Sequence, residues 1–515
     1  MNDLLHIVPL IGLYAETHYR FRFFPFSLYY RREPEIVFDA PYRIEPGSPL
    51  PITLLIKDAY RFPIELEEVS IAIFTDGNRN LTNRFPINRP LDCTFYYQIF
   101  DLDVSALPAG PLSVVPTLAF RLRGKQRQVH VDNFPGLNHK PLAIRKAADP
   151  LPLPPGWIAG ELHCHTSYGP DQVEFSAPLE VIKRNASAMG LHFSALTDHS
   201  YNLDDLQDDY LHQDPDLIKW ELLQEESARL NRAGGAVLLP GEELSCRSSS
   251  GRNVHMLIIG NREFIHGGGD GAEKWFSTRS EYSLEEALRM ISPDAFVVAA
   301  HPLVPTPLLE WLLVGRGEWQ EDDLARERLD GWQIVNGDWG VDFQKGYDLW
   351  RKALLQGKHI MIYGGNDAHG NFNRFRQVQF PMIRLREDDK NIFGRITTRI
   401  KTDERSARGI IQALKKSPSQ ISDGPSLEVN FNPVNKIAHI RWYSTEEFGT
   451  AEEVRIYSCT TGRLEHEDHV TIQGSYLTGE IYRKIIGDSL LTVDLIVKTH
   501  DGREHRAIIN CPDPM

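Results

Sequence analysis

The sequence predicts an α/β domain, closed as a barrel or open as a parallel sheet, between two smaller all-β parts. Three observations predict it. Over residues 157–420 strand-like apolar runs alternate with helix-like runs, the pattern of βα repeats. Residues 1–147 and 421–515 instead carry short strand-like runs bounded by Gly, Pro, Asn and Asp turns, as in a β-sandwich. The proline-rich stretch ADPLPLPPG at 148–156 is a stiff connector between the first two parts.

Taken in order, Ile52–Ile56 and Val69–Phe74 read as strands of the N-terminal part. In the middle part Ile158–His165 is a strand, and Pro178–Met189 a helix stopped by Gly190. Phe193–Thr197 is a strand, Asp216–Ala233 a helix, and Val237–Leu239 and Val254–Ile259 are strands. Ser283 with Glu286 three residues on is a capping-box pattern opening a helix to Ile291. Phe296–Ala300 and Trp332–Val335 are strands, Phe343–Gln356 is a helix ended by Gly357, and Ile360–Tyr363 is a strand. Leu427–Phe431, Ile437–Trp442, Val454–Tyr457 and Leu490–Lys498 are strands of the last part.

Composition narrows the function classes. The 515 residues suit about three domains at a typical ~150 residues each. With 41% hydrophobic and 24% charged residues the chain is globular rather than disordered. A formal net charge of −14 opposes general nucleic-acid binding, which needs a basic surface. No window approaches a membrane span, and the N-terminus lacks the basic region and cleavage site of a signal peptide. Cys93, Cys164, Cys246, Cys459 and Cys511 form no CxxC and no even framework, which fits reduced thiols and a cytoplasmic location.

Metal-ligating residue types gather in the middle part. His163 and His165 share a face of a strand, since residues i and i+2 point the same way. Alone this says little, because 19 histidines in 515 residues give about 0.7 such pairs by chance. The remaining candidates change its weight. Asp198 and His199, Glu243, His301, and Asp367 with His369 each follow an apolar strand-like run. That is the rim on which α/β barrels carry their sites. His255 is the exception, inside the run Asn253–Ile259. Imidazole with carboxylate suits Zn, Mn or Fe, and a carboxylate such as Glu243 can bridge two cations.

In order and spacing, these motifs resemble the polymerase and histidinol phosphatase (PHP) superfamily of metal-dependent phosphoesterases. The matching segments are Glu161-Leu162-His163-Cys164-His165-Thr166, Leu196-Thr197-Asp198-His199, Pro240-Gly241-Glu242-Glu243, His255, Ala300-His301-Pro302 and Gly365-Asn366-Asp367-Ala368-His369-Gly370. The resemblance implies a distorted (β/α)7 barrel over 157–420 holding two or three divalent ions. It implies His163, His165, Glu243 and Asp367 on a first metal, with Glu243 bridging to a second held by His255 and His301. His199 and His369 belong to a third. Asp171, in Gly169-Pro170-Asp171, stands one position late for a further ligand. Asp198 is expected to assist catalysis beside Glu243 by orienting a ligand histidine.

A water shared by two cations loses a proton near neutral pH and attacks an electrophile that the metals polarise. With a phosphate ester this is in-line attack. Arg247, Arg252, Arg374 and Arg376 are the candidates for gripping a phosphoryl group in bidentate fashion. The expected substrate is a small phosphorylated metabolite. The alternatives are a carbamate, ester or amide hydrolase on the same metals, and a non-catalytic metal-binding regulatory module. Two other motifs are set aside. His266-Gly267-Gly268-Gly269 has no GxSxG elbow to serve, and Glu465-His466-Glu467-Asp468-His469 reads as a solvated hairpin between strands.

Overall fold

The computed structural model describes residues 32–134, 139–169, 177–206, 209–268, 279–306, 311, 315–358, 360–373, 377–380, 383–386, 391–460, 464–487 and 489–511. The chain divides into two compact units. One takes in residues 1–150, 170–190 and 368–393, the other 151–169, 191–367 and 394–515.

The first unit is built from β-strands. Leu50–Lys57 lies between Glu35–Asp39 and Phe95–Leu102 in a three-stranded antiparallel sheet. Ile64–Thr75 lies between Asn78–Leu91 and Gly110–Leu122 in a larger sheet. Along Gly110–Leu122 every second residue is buried, among them Leu112, Val114, Leu118 and Phe120. This is the period of a strand with one face on a core. These residues share one apolar cluster with Ile52, Leu54 and Ile56 of the smaller sheet, so the two sheets bury each other's inner faces.

The second unit holds a thirteen-stranded mixed sheet. In chain order its strands are β1 (Trp157–Cys164), β2 (Phe193–Leu196), β3 (Val237–Arg247), β4 (Asn253–Ile259), β5 (Phe296–Ala299), β6 (Gly331–Asn336) and β7 (Met361–Gly365). These are followed by β8 (Thr397–Lys401), β9 (Ser419–Ser422), β10 (Thr450–Thr460), β11 (Leu464–Thr471), β12 (Ser489–Lys498) and β13 (Glu504–Asn510). Their spatial order is β7-β6-β5-β4-β3-β2-β1-β8-β9-β13-β12-β10-β11.

This topology overturns the (β/α)7 barrel. Such a barrel needs parallel strands, a helix after each, and pairing of the first strand with the last. Here β4 runs antiparallel to both β3 and β5. Only Ser248–Arg252 join β3 to β4, far short of the dozen or more residues that a parallel crossover needs. On its other side β1 pairs antiparallel with β8 rather than with β7. Among the described residues β7 pairs with β6 alone. The ladder then continues from β9 into β13, with Gln420 opposite Ile509 and Ile421 opposite Ile508. Strands far outnumber helices: 29 against seven among the described residues.

Four helices matter to the sheet: α1 (Ile218–Asn231), α2 (Leu284–Met290), α3 (Val341–Leu355) and α4 (Ala407–Lys416). α2 begins at the capping box, where Ser283 accepts from the Glu286 N–H and Glu286 reaches back to the Ser283 N–H. α4 presses Ile410 and Leu414 onto Ile158, Phe193, Leu257 and Val298. α3 presses Phe343, Tyr347 and Trp350 onto Ile334 and Val335. With both faces covered, β2 and β5 are buried along their whole length, which explains their unbroken apolar sequences. Each large side chain buried this way contributes about 1.5–3 kcal/mol. Among the described residues no helix is long and apolar enough to cross a membrane.

Candidate metal centre

Glu243 is the hub of the site. Its neighbour Glu242 points to the opposite face of β3, as strand alternation requires. Glu242 accepts the Ser200 hydroxyl at 2.9 Å and the Ile265 N–H at 3.3 Å. Burial pushes the Glu242 carboxyl up to about 8. Glu243 faces five imidazoles instead. Its Oε2 lies 3.2 Å from His163 Nε2, 3.3 Å from His165 Nε2 and 3.1 Å from His199 Nδ1. Its Oε1 lies 2.7 Å from His255 Nδ1 and 3.2 Å from His301 Nε2. Asp367 Oδ1 completes the Oε2 side, 3.3 Å from His163 and 3.1 Å from His165.

The five rings close a circuit round that carboxylate. Successive centroids are 5.4 Å (His163–His165), 4.6 Å (His165–His199), 5.3 Å (His199–His255), 5.5 Å (His255–His301) and 5.6 Å (His301–His163) apart. Two sets of ligand atoms converge within 4.8 Å: His163, His165, Glu243 and Asp367, and His199, Glu243 and His255. Glu243 is common to both, and either set could hold a metal ion.

Each strand delivers its ligand for a local reason. His163 and His165 leave the end of β1 on one side, and the register of β1 on β2 shifts between Glu161 and Cys164. Cys164 points the other way, into β2, with Sγ 3.2 Å from the Ala195 carbonyl. Burial pushes its thiol well above the ordinary value, so it is an inert core group. Glu243 lies within β3 rather than past its end, as the sequence had suggested, because pairing with β4 continues to Arg247. His301 and Asp367 have φ of 30° and 52°, left-handed values that are strained for side-chain-bearing residues and typical of functional positions.

The charges answer one another. Burial lowers the His163 imidazole, but Glu243 and Asp367 outweigh it and bring it up to about 9. Burial raises the Glu243 carboxyl, yet His255, His163 and His199 hold it well below the carboxylate range. Burial leaves His301 below its usual value despite the Glu243 carboxylate. His163 Nε2 and Glu243 Oε2 are both buried and neither forms a hydrogen bond. An imidazole nitrogen set against a carboxylate in this way suits a second ring proton or a cation between them.

Other expected residues fall as follows. Asp198 holds the segment after β1: its carboxylate accepts the Thr166 N–H at 2.6 Å and the Thr166 hydroxyl at 2.7 Å. It therefore sits behind the ligands, and its carbonyl accepts the Glu243 N–H at 2.9 Å. A Cβ at Gly169 would come 2.7 Å from the Asp198 carboxylate, so that turn needs glycine. His369 belongs to the other unit, where its N–H is capped by the Asn371 side chain at 3.0 Å. Asp171, Arg374 and Arg376 lie outside the described residues.

Arg247 and Arg252 do not bring their guanidinium groups to the ligand cluster. Arg247 donates to the Ser280 and Glu281 carbonyls. Arg252 donates to the Trp311 carbonyl at 2.8 Å and lies 3.9 Å over the Trp311 ring. The acidic-histidine run at 465–469 is not a hairpin turn but part of β11. There His469 lies 2.6 Å from Glu453 and 2.7 Å from Glu467.

Sequence reasoning missed three contributors. Arg316 Nη2 lies 3.3 Å from His255 Nδ1. The segment that carries it pairs with the start of β4: the Asn253 N–H meets the Gly315 carbonyl and the Gly317 N–H the Asn253 carbonyl. A Cβ at Gly317 would strike Arg252, so Gly315-Arg316-Gly317 was the available signal. Gln333, fully buried on β6, accepts from His163 Nδ1 at 3.0 Å. Glu161, fully buried on β1, accepts the N–H groups of His163, Asn366 and Gly394, tying β1 to the segment that carries Asp367.

No family model matches the chain, and no curated protein matches it. Among solved structures it is similar to a Bacteroides uniformis β-glucuronidase, with 10% identity and a TM-score of 0.20, over 92% of this chain and 61% of that one. A Parabacteroides merdae β-glucuronidase gives 7% identity and a TM-score of 0.17, over 93% and 77%. The chain thus spans about three fifths of the length of the B. uniformis enzyme. Superpositions this poor give no basis for transferring fold or chemistry.

Proposed function

We propose that this protein is a metal-dependent phosphoesterase that hydrolyses a small phosphorylated molecule, the activity implied by its motif resemblance to the PHP superfamily. The supporting observation is the division of labour at Glu243. Its Oε2 faces His163, His165 and His199, and its Oε1 faces His255 and His301. One carboxylate common to two converging sets, with His163, His165 and Asp367 in one and His199 and His255 in the other, suits two divalent ions of the Zn, Mn or Fe class. When bound, such a pair supplies Lewis acidity and a water acidified toward neutral pH. The chain's own part is to place the charge. Arg316, beside His255, offers a guanidinium fork to phosphoryl oxygens that collect negative charge in the transition state. His301 and Asp367, on strained backbone, are held where they are by packing rather than by preference.

The test is a substrate panel on protein reconstituted separately with zinc, manganese and iron. Hydrolysis of phosphomonoesters, abolished by chelation and restored by one of these ions, is expected. Turnover of carboxylic esters, amides or carbamates without phosphoester turnover replaces the phosphate reading. Turnover of none of them on fully metal-loaded protein points to a regulatory metal site.

A further inference from the structure

We infer that Gln333 is a positioning residue that fixes the tautomer of His163 and so makes its Nε2 the ligand atom. This rests on the metal-centre reading above and adds to it the group that selects the coordinating nitrogen.

The argument is one of hydrogen-bond polarity. Gln333 Nε2 donates to Asn336 Oδ1 at 3.0 Å, which sets the amide so that its oxygen faces the other way. That oxygen is 3.0 Å from His163 Nδ1. An amide oxygen can only accept, so Nδ1 carries the proton. The neutral ring then has its lone pair on Nε2, the atom facing Glu243 Oε2 and Asp367 Oδ1. Both Gln333 and His163 are fully buried, so no water competes for either nitrogen. A Cβ on Gly365, paired with Asn336 in the β6–β7 ladder, would come 3.1 Å from Gln333 Nε2 and 2.9 Å from His163 Cβ. The bare glycine is what lets amide and imidazole meet. Partners of this kind usually act on metal affinity by 10–100-fold.

The test measures zinc affinity of the full chain by competition with a chromophoric chelator, together with the melting temperature of the metal-free protein. Gln333→Leu keeps the volume and removes the acceptor. Zinc binding at the tighter-responding site should weaken by roughly 10–100-fold. Gln333→Glu restores an acceptor and should return the affinity to within about threefold of the native protein. If Gln333→Leu does not fold, Asn336→Ala releases the amide without removing it, and a loss of severalfold is expected. Equal losses in the Leu and Glu variants, or affinity unchanged in both while the metal-free melting temperature falls, make Gln333 a packing residue and overturn the inference. Phosphoester turnover is read separately. Its absence alongside the expected affinity pattern sinks the phosphoesterase proposal and leaves this inference standing. Native protein that binds no zinc overturns this inference, and native protein that binds none of zinc, manganese and iron overturns both.

Discussion

His163 Nε2 faces Glu243 Oε2 across 3.2 Å with no hydrogen bond between them, because the proton of that imidazole is committed to Gln333 on the other side of the ring. Two electron-rich atoms are thereby held together inside the protein. Only a second proton or a cation makes that arrangement favourable.

Metal content follows directly. Protein reconstituted with zinc or manganese should retain at least two ions per chain after gel filtration, measured by elemental analysis. Ions that bind the folded chain alone also stabilise it, by about 2.7 kcal/mol at a free concentration one hundred times the dissociation constant. Chelation should therefore lower the melting temperature. Metal-loaded and chelated protein melting together would contradict the site.

Removing the hub should be far worse than removing a charge elsewhere. Glu243→Gln takes the negative charge from both ligand sets at once, so bound metal and any hydrolytic turnover should fall at least ~100-fold, as for loss of a ligand or its orienting partner. Arg247→Ala should change turnover less than about twofold, since its guanidinium is engaged by the Ser280 and Glu281 carbonyls and such surface changes cost little. Similar effects from the two variants would exclude Glu243 as a bridge.

Arg316 tests the phosphate assignment. Arg316→Ala should weaken inhibition by inorganic phosphate by about 1.5–3 kcal/mol, the worth of a hydrogen bond to a charged group. The fold should be unaffected, as the backbone pairing of Gly315 and Gly317 with Asn253 does not use the side chain. Unchanged phosphate inhibition in this variant would turn attention to the carbamate, ester or amide alternatives.

The pH dependence has a definite sign. His163 is brought up to about 9 in the folded metal-free chain, above the ~6.5 of an unfolded histidine. Its contribution is complete below pH ~6.5 and is lost as pH rises through about 9. The loss is of order 3 kcal/mol at 1.36 kcal/mol per pH unit. Glu243, held below its ordinary value, acts oppositely, losing its contribution as pH falls through the acid range. Zinc replaces the proton on His163, so stabilisation by zinc should grow between pH 6.5 and 9. Thermal melts with and without zinc across that window measure it, and a constant difference would show that His163 is not a ligand.

Most of the cluster was legible in the sequence because His163, His165, His301 and Asp367 stand at the ends of apolar strand-like runs, and two-residue alternation fixed which way His163 and His165 face; Glu243 and His255 lie inside their strands instead. What was not legible depended on pairing between distant segments. Nothing local to Trp332-Gln333-Ile334 says that Gln333 meets His163. Arg316 is placed by a bridge to Asn253, whereas Arg252, nearer to His255 in sequence, is engaged by Trp311. The barrel was misread because alternating strands and helices were taken to imply parallel strands throughout. The five residues Ser248–Arg252 were the visible contrary sign, too few to bring β4 back parallel to β3.

The unbroken ladder from β7 to β11 makes the ligand-bearing strands and the last hundred or so residues one thermodynamic object. Inside it the Arg506 guanidinium, paired with the fully buried Asp494, lies 4.8 Å from the Phe343 ring of α3, so helix and terminal strands cannot part without exposing a charge. Amide exchange at Val493 or Ile508 should therefore slow when zinc binds at Glu243, although neither residue is a ligand. For the same reason the chain cannot be shortened at 420. The cut would fall inside β9 and leave a row of unmatched backbone donors and acceptors, a template for assembly into aggregates. The segment after residue 420 is thus what covers the edge of the strands that carry the His163–Glu243 cluster.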